Sequence, residues 1–100
     1  MAVKLIMRWD VRMGNESDYS DYVANEFIPG ISKLGISEIQ AWFTAYGDCE
    51  QILVSGITQS DKQMTYVLGH DEWERLQNKL ADLVDDFNFK VIKATAGFQI

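Results

Sequence analysis

The chain has 100 residues, of which 47% are hydrophobic, and its nine Lys and Arg against fifteen Asp and Glu give a formal charge of −6. This size and composition predict one folded domain over residues 1–100, and the acidic balance disfavours binding to nucleic acid. Charged residues interrupt the apolar N-terminus, and no apolar run approaches the roughly 20 residues that span a bilayer. We therefore expect a cytoplasmic protein that does not bind a membrane.

Residues 3–35 predict a strand followed by a broken helix. Apolar side chains alternate with others over residues 3–13, which is typical of a strand with one buried face. Asn15 or Ser17 then offers a side chain that accepts the first free amides of a helix. Apolar residues recur at helical spacing as far as Gly35. Because Pro29 lacks an amide hydrogen and clashes with the preceding turn, this helix should kink or restart near Phe27.

The next segments predict a hairpin, and the end of the chain predicts a last strand. Residues 36–46 alternate again, Gly47 and Asp48 supply a turn, and residues 51–58 are typical of the antiparallel partner. Residues 90–100 are β-rich at their start and predict a fourth strand.

Two helix starts are predicted between the hairpin and the last strand. Ser60 with Gln63, and Asp71 with Glu74, fit the capping box, in which two side chains reciprocally satisfy backbone amides. The predicted helices cover residues 61–68 and 71–87.

This order of elements predicts an α+β, ferredoxin-like βαββαβ fold, in which a four-stranded antiparallel sheet carries both helices on one face. The other face of the sheet, called the open face below, mixes charged with apolar residues and is too apolar to be left in water. A second copy of the chain would cover it. We expect an isologous homodimer whose interface includes Arg8, Trp42 and Leu53. The residues assigned to the open face are Lys4, Ile6, Arg8, Gln40, Trp42, Tyr46, Leu53, Ile57 and Val91.

With these features the chain resembles the dimeric α/β-barrel superfamily, which includes antibiotic-biosynthesis-type monooxygenases and NIPSNAP-like proteins. The resemblance covers the full length and rests on the helix broken at residues 27–30, the long hairpin over residues 36–58 and the split second helix with residues 69–73 at its joint. The functions that it implies range from oxygenases and haem degradation to isomerases. Haem-degrading members use an Asn on the first strand and a His in the second helix. This chain has Asp10 on the first strand and no His in the second helix, which argues against haem chemistry.

His70, the only histidine, is the candidate catalytic residue. It lies at a predicted helix start, where the positive end of the helix dipole favours a neutral imidazole suited to act as a base or ligand. The alternative is a loop residue at a helix joint. The sequence has no glycine-rich phosphate loop, GxSxG, HExxH or CxxC, and Cys49 is its only cysteine. We therefore expect no bound cofactor and no metal.

Four aromatic residues are candidates to line a pocket between sheet and helices, where members of the resembled superfamily hold small aromatic substrates. They are Trp9, Tyr22, Tyr66 and Trp73. Core packing is the alternative for each, because aromatic residues at helical or strand spacing are usually buried.

Two sets of charged residues carry weaker hypotheses. Arg8, Asp10 and Arg12 share a face of the first strand, where an Arg-carboxylate pair could orient a substrate carboxylate or, as we favour, only tie two subunits together. An acidic set falls on one side of the predicted last helix at a spacing that can hold a hard cation, although a solvated acidic face is far more common. Its members are Asp82, Asp85 and Asp86.

The sequence thus favours a small-molecule-binding dimer, with cofactor-independent monooxygenation or isomerisation of a small aromatic compound as its candidate activity. The alternative is a non-catalytic structural or regulatory homo-oligomer. A cavity between sheet and helices that His70 or Tyr66 faces would favour the first, and a filled interior the second.

Overall fold

The computed structural model describes the backbone of residues 2–46 and 49–93. In chain order the elements are β1 (Val3–Val11), α1 (Glu16–Tyr22), a π-helical turn (Val23–Phe27), α2 (Ile28–Leu34), β2 (Ser37–Tyr46), β3 (Cys49–Thr58), α3 (Asp61–Leu68), α4 (Asp71–Leu83) and β4 (Val84–Lys93). This order confirms the predicted ferredoxin-like fold. The predicted turn at Gly47 and Asp48, residues 94–100 of the predicted last strand, and the side chains of Tyr46 and Cys49 lie outside what is described.

The four strands form one antiparallel sheet in the order β2-β3-β1-β4. The alternation predicted for β1 is confirmed: Val3, Leu5, Met7 and Trp9 are buried against the helices and are at most 2% exposed. These side chains form one core with residues from every helix. The intervening β1 residues project from the open face because successive side chains of a strand point to opposite sides.

Strand register corrects one assignment to the open face. Directly paired residues place their side chains on the same side of a sheet. Val91 pairs with the buried Leu5, so it lies on the helix side, and its prediction for the open face was wrong. Lys90 and Ile92 lie on the open face instead, since they pair with Ile6 and Lys4.

The break predicted in the first helix is confirmed. The chain makes a π-helical turn up to Phe27, and α2 restarts at Ile28 with Pro29 in its first turn, where the missing amide has no intrahelical partner to lose. The next residue, Gly30, lies against α4: a Cβ there would come 2.6 Å from Leu76 Cδ1. The absence of a side chain therefore lets the two helices pack closely.

Helix starts follow the predicted chemistry in one case and depart from it in two. The Ser60 hydroxyl accepts the Gln63 amide at 3.1 Å, as predicted. Asn15 is the N-cap of α1 but makes no side-chain capping bond, and Ser17 lies inside the helix, so the predicted capping by Asn15 or Ser17 was wrong. The cap of α4 is His70 rather than Asp71, because the imidazole is the group that reaches a free amide of the first turn.

The end of α4 differs most from the sequence prediction. The helix stops at Leu83 rather than near residue 87, and Val84 already pairs with Val11 in the sheet. Arg12 donates hydrogen bonds to the carbonyls of Asp82 and Val84, each at 2.8 Å, and to the Asp85 carboxylate at 3.0 Å. Residues 84–87, which were predicted as the last helical turn, therefore lie in a strand that contacts from the end of β1 hold in place.

This boundary removes the predicted acidic face of the helix. Asp82 lies on α4, whereas Asp85 and Asp86 belong to β4, so the three do not share a helical face. Asp86 has a φ of 55° and lies where the pairing of β1 with β4 shifts register. Among the described side chains, which leave out Asp48, Cys49 and Glu50, no three from His, Cys, Asp or Glu cluster closely enough to hold a metal ion.

Candidate functional site

A cleft of about 330 Å³ opens beside the joint between α3 and α4. His70, Asp71 and Glu74 contribute its polar side, and Trp73 and Phe89 contribute its aromatic side. The two aromatic rings meet edge to face with centroids 5.5 Å apart, and Trp73 is almost fully buried while Phe89 is 36% exposed. The cleft thus offers an aromatic edge, a wall of hydrogen-bonding groups and a volume at the lower end of small-molecule sites.

His70 has a structural role that limits its chemistry. Its Nδ1 accepts the Glu72 amide at 3.0 Å, which caps α4. An accepting Nδ1 carries no proton, so a neutral imidazole in this position holds its proton on Nε2. His70 can therefore donate a hydrogen bond from Nε2 with the cap intact, but Nε2 can act as a base only after the proton moves to Nδ1 and the cap breaks.

Tyr66 lies next to His70 but outside the lining of the cleft. Its ring meets the imidazole edge to face with centroids 5.5 Å apart, and it is 60% exposed. Of the predicted site residues, His70 and Trp73 are thus brought together in the cleft. Tyr66 contacts the imidazole but does not line the cleft.

The other two predicted aromatic ligands, Trp9 and Tyr22, lie in the core. Trp9 is fully buried, and its Nε1 donates to the Tyr19 hydroxyl at 3.0 Å. The Tyr22 hydroxyl donates to the carbonyl of Leu76 at 2.8 Å, and burial raises the pKa of Tyr22 to about 12. Both rings pack against Phe27. Both side chains therefore satisfy their polar atoms within the chain. Their contact with a ligand stays a prediction.

The cleft is acidic at its mouth. Asp71 and Glu74 are exposed on the first turn of α4, and the cleft's described lining contains no Lys or Arg. The neighbouring Glu72 is engaged by Arg75 at 3.1 Å, and this hydrogen bond lowers the pKa of the Glu72 carboxyl.

The open face brings the three predicted interface residues into one row. Arg8 pairs with Leu53, and Leu53 pairs with Trp42, so their side chains lie side by side across β1, β3 and β2. Trp42 is 46% exposed although it is a large hydrophobic side chain. An apolar cleft of about 250 Å³ lies beside this row and is lined by Lys4, Ile6, Trp42, Leu53 and Ser55.

Sequence reasoning missed the part of the open face nearest β4. Here Asn88 and Lys90 line a second cleft of about 320 Å³ together with Arg8, above Ile6 and Leu53. The signal was the alternation of the last strand. The predicted strand began at residue 90, which left Asn88 out of the sheet, and the prediction placed Val91 rather than Lys90 on the open face.

No family model and no curated protein matches this chain, whereas solved structures do. SnoaB, a cofactor-independent oxygenase from Streptomyces nogalater, superposes with a TM-score of 0.77 at 9% identity, covering 96% of this chain and 95% of that one. A putative antibiotic biosynthesis monooxygenase from Nitrosomonas europaea gives a TM-score of 0.71 at 9% identity, covering 95% and 91%. A dimeric protein of unknown function with a ferredoxin-like fold from Bacteroides fragilis gives 0.64 at 17% identity, covering 93% and 96%.

These similarities confirm the superfamily resemblance at the level of the fold. Identities this low carry no catalytic residue from those proteins to this chain. None of the helices described has the length and apolar character needed to cross a membrane.

Proposed function

We propose that this protein is a homodimer that binds a small aromatic compound in the cleft beside His70. The observation that supports the proposal is the cleft itself, whose lining brings together the ring pair of Phe89 and Trp73 and the His70 ring. Because Nδ1 of His70 accepts the Glu72 amide, Nε2 is the nitrogen left to donate to a ligand. Aromatic rings favour offset or edge-to-face contacts with another ring, and a hydrogen-bond donor beside them orients a polar substituent.

The activity that we propose is cofactor-independent monooxygenation, with isomerisation of a similar compound as the second candidate. In the oxygenation of a phenol, one atom of O2 enters the ring as a quinone oxygen, and the other leaves as water with the two hydrogens that the substrate loses. The substrate therefore supplies the electrons itself. His70 would donate a hydrogen bond from Nε2 to the phenolic oxygen and stabilise the charge that develops there.

Two variants of His70 separate catalysis from capping. His70→Ala removes both the cap and the imidazole, so it should destabilise the fold by about 1 kcal/mol and lower turnover by roughly 10²-fold. His70→Asn restores a good capping side chain without an imidazole. We expect normal stability and the same loss of turnover, measured as oxygen consumption with phenols and hydroquinones. Full turnover in His70→Asn, or no binding of these compounds at millimolar concentration, would remove the enzymatic proposal.

The dimer is proposed from the open face, where Trp42 and Leu53 leave an apolar surface that the described part of the chain does not cover. Trp42→Asp should place a charge in the interface and give a particle near the 11.4 kDa of one chain by light scattering. Phe43→Asp is the matched control, because Phe43 is 59% exposed on the same strand but its side chain points to the other side of the sheet. A wild-type mass of one chain would overturn the dimer, and a dimeric Trp42→Asp would move its interface elsewhere.

The alternative, a non-catalytic structural or regulatory homo-oligomer, is favoured by one observation. The space between sheet and helices is occupied by the chain's own rings, with Trp9 and Phe27 fully buried. The two candidates differ in the His70 experiment, since a protein without catalysis would lose only the capping contribution in His70→Ala.

A further inference from the structure

Three cations lie on the open face of a chain whose formal charge is −6. Lys4 and Arg8 alternate with Ile6 along β1, and Lys90 pairs with Ile6 from β4. Arg8 in turn pairs with Asn88, which is uncharged. The positive charge of this part of the face is therefore local and opposite in sign to that of the whole molecule.

Among the side chains that the structure describes, these cations differ from other cations in having no carboxylate partner. Arg12, Arg75 and Lys79 each form an ion pair with an acidic residue. No Asp or Glu oxygen of a described side chain lies within 4.0 Å of the charged atoms of Lys4, Arg8 or Lys90.

The residues beside them do not provide a carboxylate either. The positions that pair with these three residues on β3 and β4 are occupied by uncharged side chains: Ile57, Leu53, Asn88 and Ile92, with Ile6 beside Lys90 on β1. The next acidic residue of β1 on this face is Asp10, two positions beyond Arg8 and directly opposite another carboxylate, Asp85.

The cleft near β4 places two of these cations around an apolar floor. Arg8 and Lys90 stand at its sides with the amide of Asn88, and Ile6 and Leu53 form the base. Its volume of about 320 Å³ falls in the range of roughly 300 to 1,000 Å³ found for small-molecule sites. A guanidinium binds a carboxylate through paired hydrogen bonds, and the aliphatic floor suits an apolar body.

We propose that this part of the open face, which we call the Arg8–Lys90 site, binds a small carboxylate with an apolar body. The inference goes beyond the aromatic ligand of the His70 cleft, whose acidic mouth would repel such an anion. The inference also rests on the proposed dimer in one respect, which is the reason for a carboxylate to bind between two copies. Packing two open faces together, with the sheets about 10 Å apart, brings like charges from both copies into the interface, and a bound carboxylate offsets part of that cost.

The experiment uses benzoate as the probe and benzamide as its neutral isostere. Calorimetric titration of the full chain at low ionic strength should show benzoate binding at least tenfold more tightly than benzamide. Arg8→Gln and Lys90→Gln should each weaken benzoate binding by tenfold or more. Lys62→Gln is the matched control, because it removes the same charge from an exposed position on α3 and should leave binding unchanged.

Three results would overturn the Arg8–Lys90 site: benzoate and benzamide binding alike, benzoate binding that survives both substitutions, or inorganic phosphate binding as tightly as benzoate, since phosphate has no apolar body. Light scattering of the same samples tests the dimer separately. A dimer that does not bind benzoate rejects this site and leaves the dimer standing. A monomer that binds benzoate through Arg8 and Lys90 supports the site and rejects the dimer.

Discussion

The two faces of the sheet present the same strands to very different surroundings. On the helix side, Trp9 is fully buried, and its indole nitrogen is satisfied by Tyr19. On the open side, Trp42 is 46% exposed and pairs with Leu53, which in turn pairs with Arg8. One face is completed within the chain, and the other carries both apolar surface and cations that have no ion pair with any described side chain. Stability should therefore depend mainly on the first face, and dimer formation and carboxylate binding on the second.

The largest difference in stability between the two faces should come from substituting one tryptophan on each. Trp9→Ala opens a cavity in the core and should lower the free energy of unfolding by about 3 to 5 kcal/mol. Trp42→Ala should lower it by less than about 1 kcal/mol, because the ring is half exposed in the single chain. Urea unfolding, at protein concentrations low enough to dissociate a dimer, measures both. Equal losses would contradict the division between the faces.

A smaller difference in stability should separate Arg8, which lies in β1, from Arg12, which directly follows it. Arg12 binds two carbonyls and a carboxylate at the junction of α4 and β4, so Arg12→Gln should cost about 1 to 2 kcal/mol. Arg8 projects from the open face without an ion pair among the described residues, so Arg8→Gln should leave stability within about 0.5 kcal/mol of wild type. Thermal melting of the two variants compares them directly, and the reverse order would refute this assignment of roles.

The smallest effect should come from the buried hydroxyl of Tyr22. Tyr22→Phe removes the hydrogen bond to Leu76 and should cost about 1 kcal/mol at neutral pH, whereas Tyr66→Phe on the exposed side of α3 should cost almost nothing.

The same hydroxyl predicts a dependence on alkaline pH. Burial raises the pKa of Tyr22 from 10.0 to about 12, so the folded protein keeps a proton that the unfolded chain releases. The corresponding stability is present below pH 10 and is lost as the pH rises from 10 towards 12. Urea midpoints should therefore fall less steeply over this range in Tyr22→Phe than in Tyr66→Phe. Parallel curves for the two variants would contradict the raised pKa.

Local patterns in the sequence determined much of the fold. The alternation around Leu5 and Met7 predicted a strand with one buried face, Pro29 predicted the break after Phe27, and the Ser60 hydroxyl predicted the start of α3. Each of these outcomes depends on residues close together in the chain, whose side-chain period, missing amide or capping oxygen acts within a turn or two.

The candidate site was only partly predictable. His70 was identified from its residue type and its place near a helix start, but its role as the cap of α4 was not, because Asp71 offered an equally good local signal. Trp9 and Trp73 have the same aromatic character in the sequence. Their packing separated them, since Trp9 lies in the interior and Trp73 lies at the edge of a cleft next to Phe89.

Patterns within single segments therefore predict the succession of strands and helices along the chain and the buried face of β1. The end of α4 depends instead on a distant contact, because Arg12 from the end of β1 binds the carbonyl of Val84, about 70 residues later in the chain. Tertiary contacts also give Arg12 and Arg8 different roles, because Arg12 binds the end of α4 whereas Arg8 lines a cleft together with Lys90. Pairing between distant strands sets these contacts, and a pattern within one segment does not record which partner strand lies beside it.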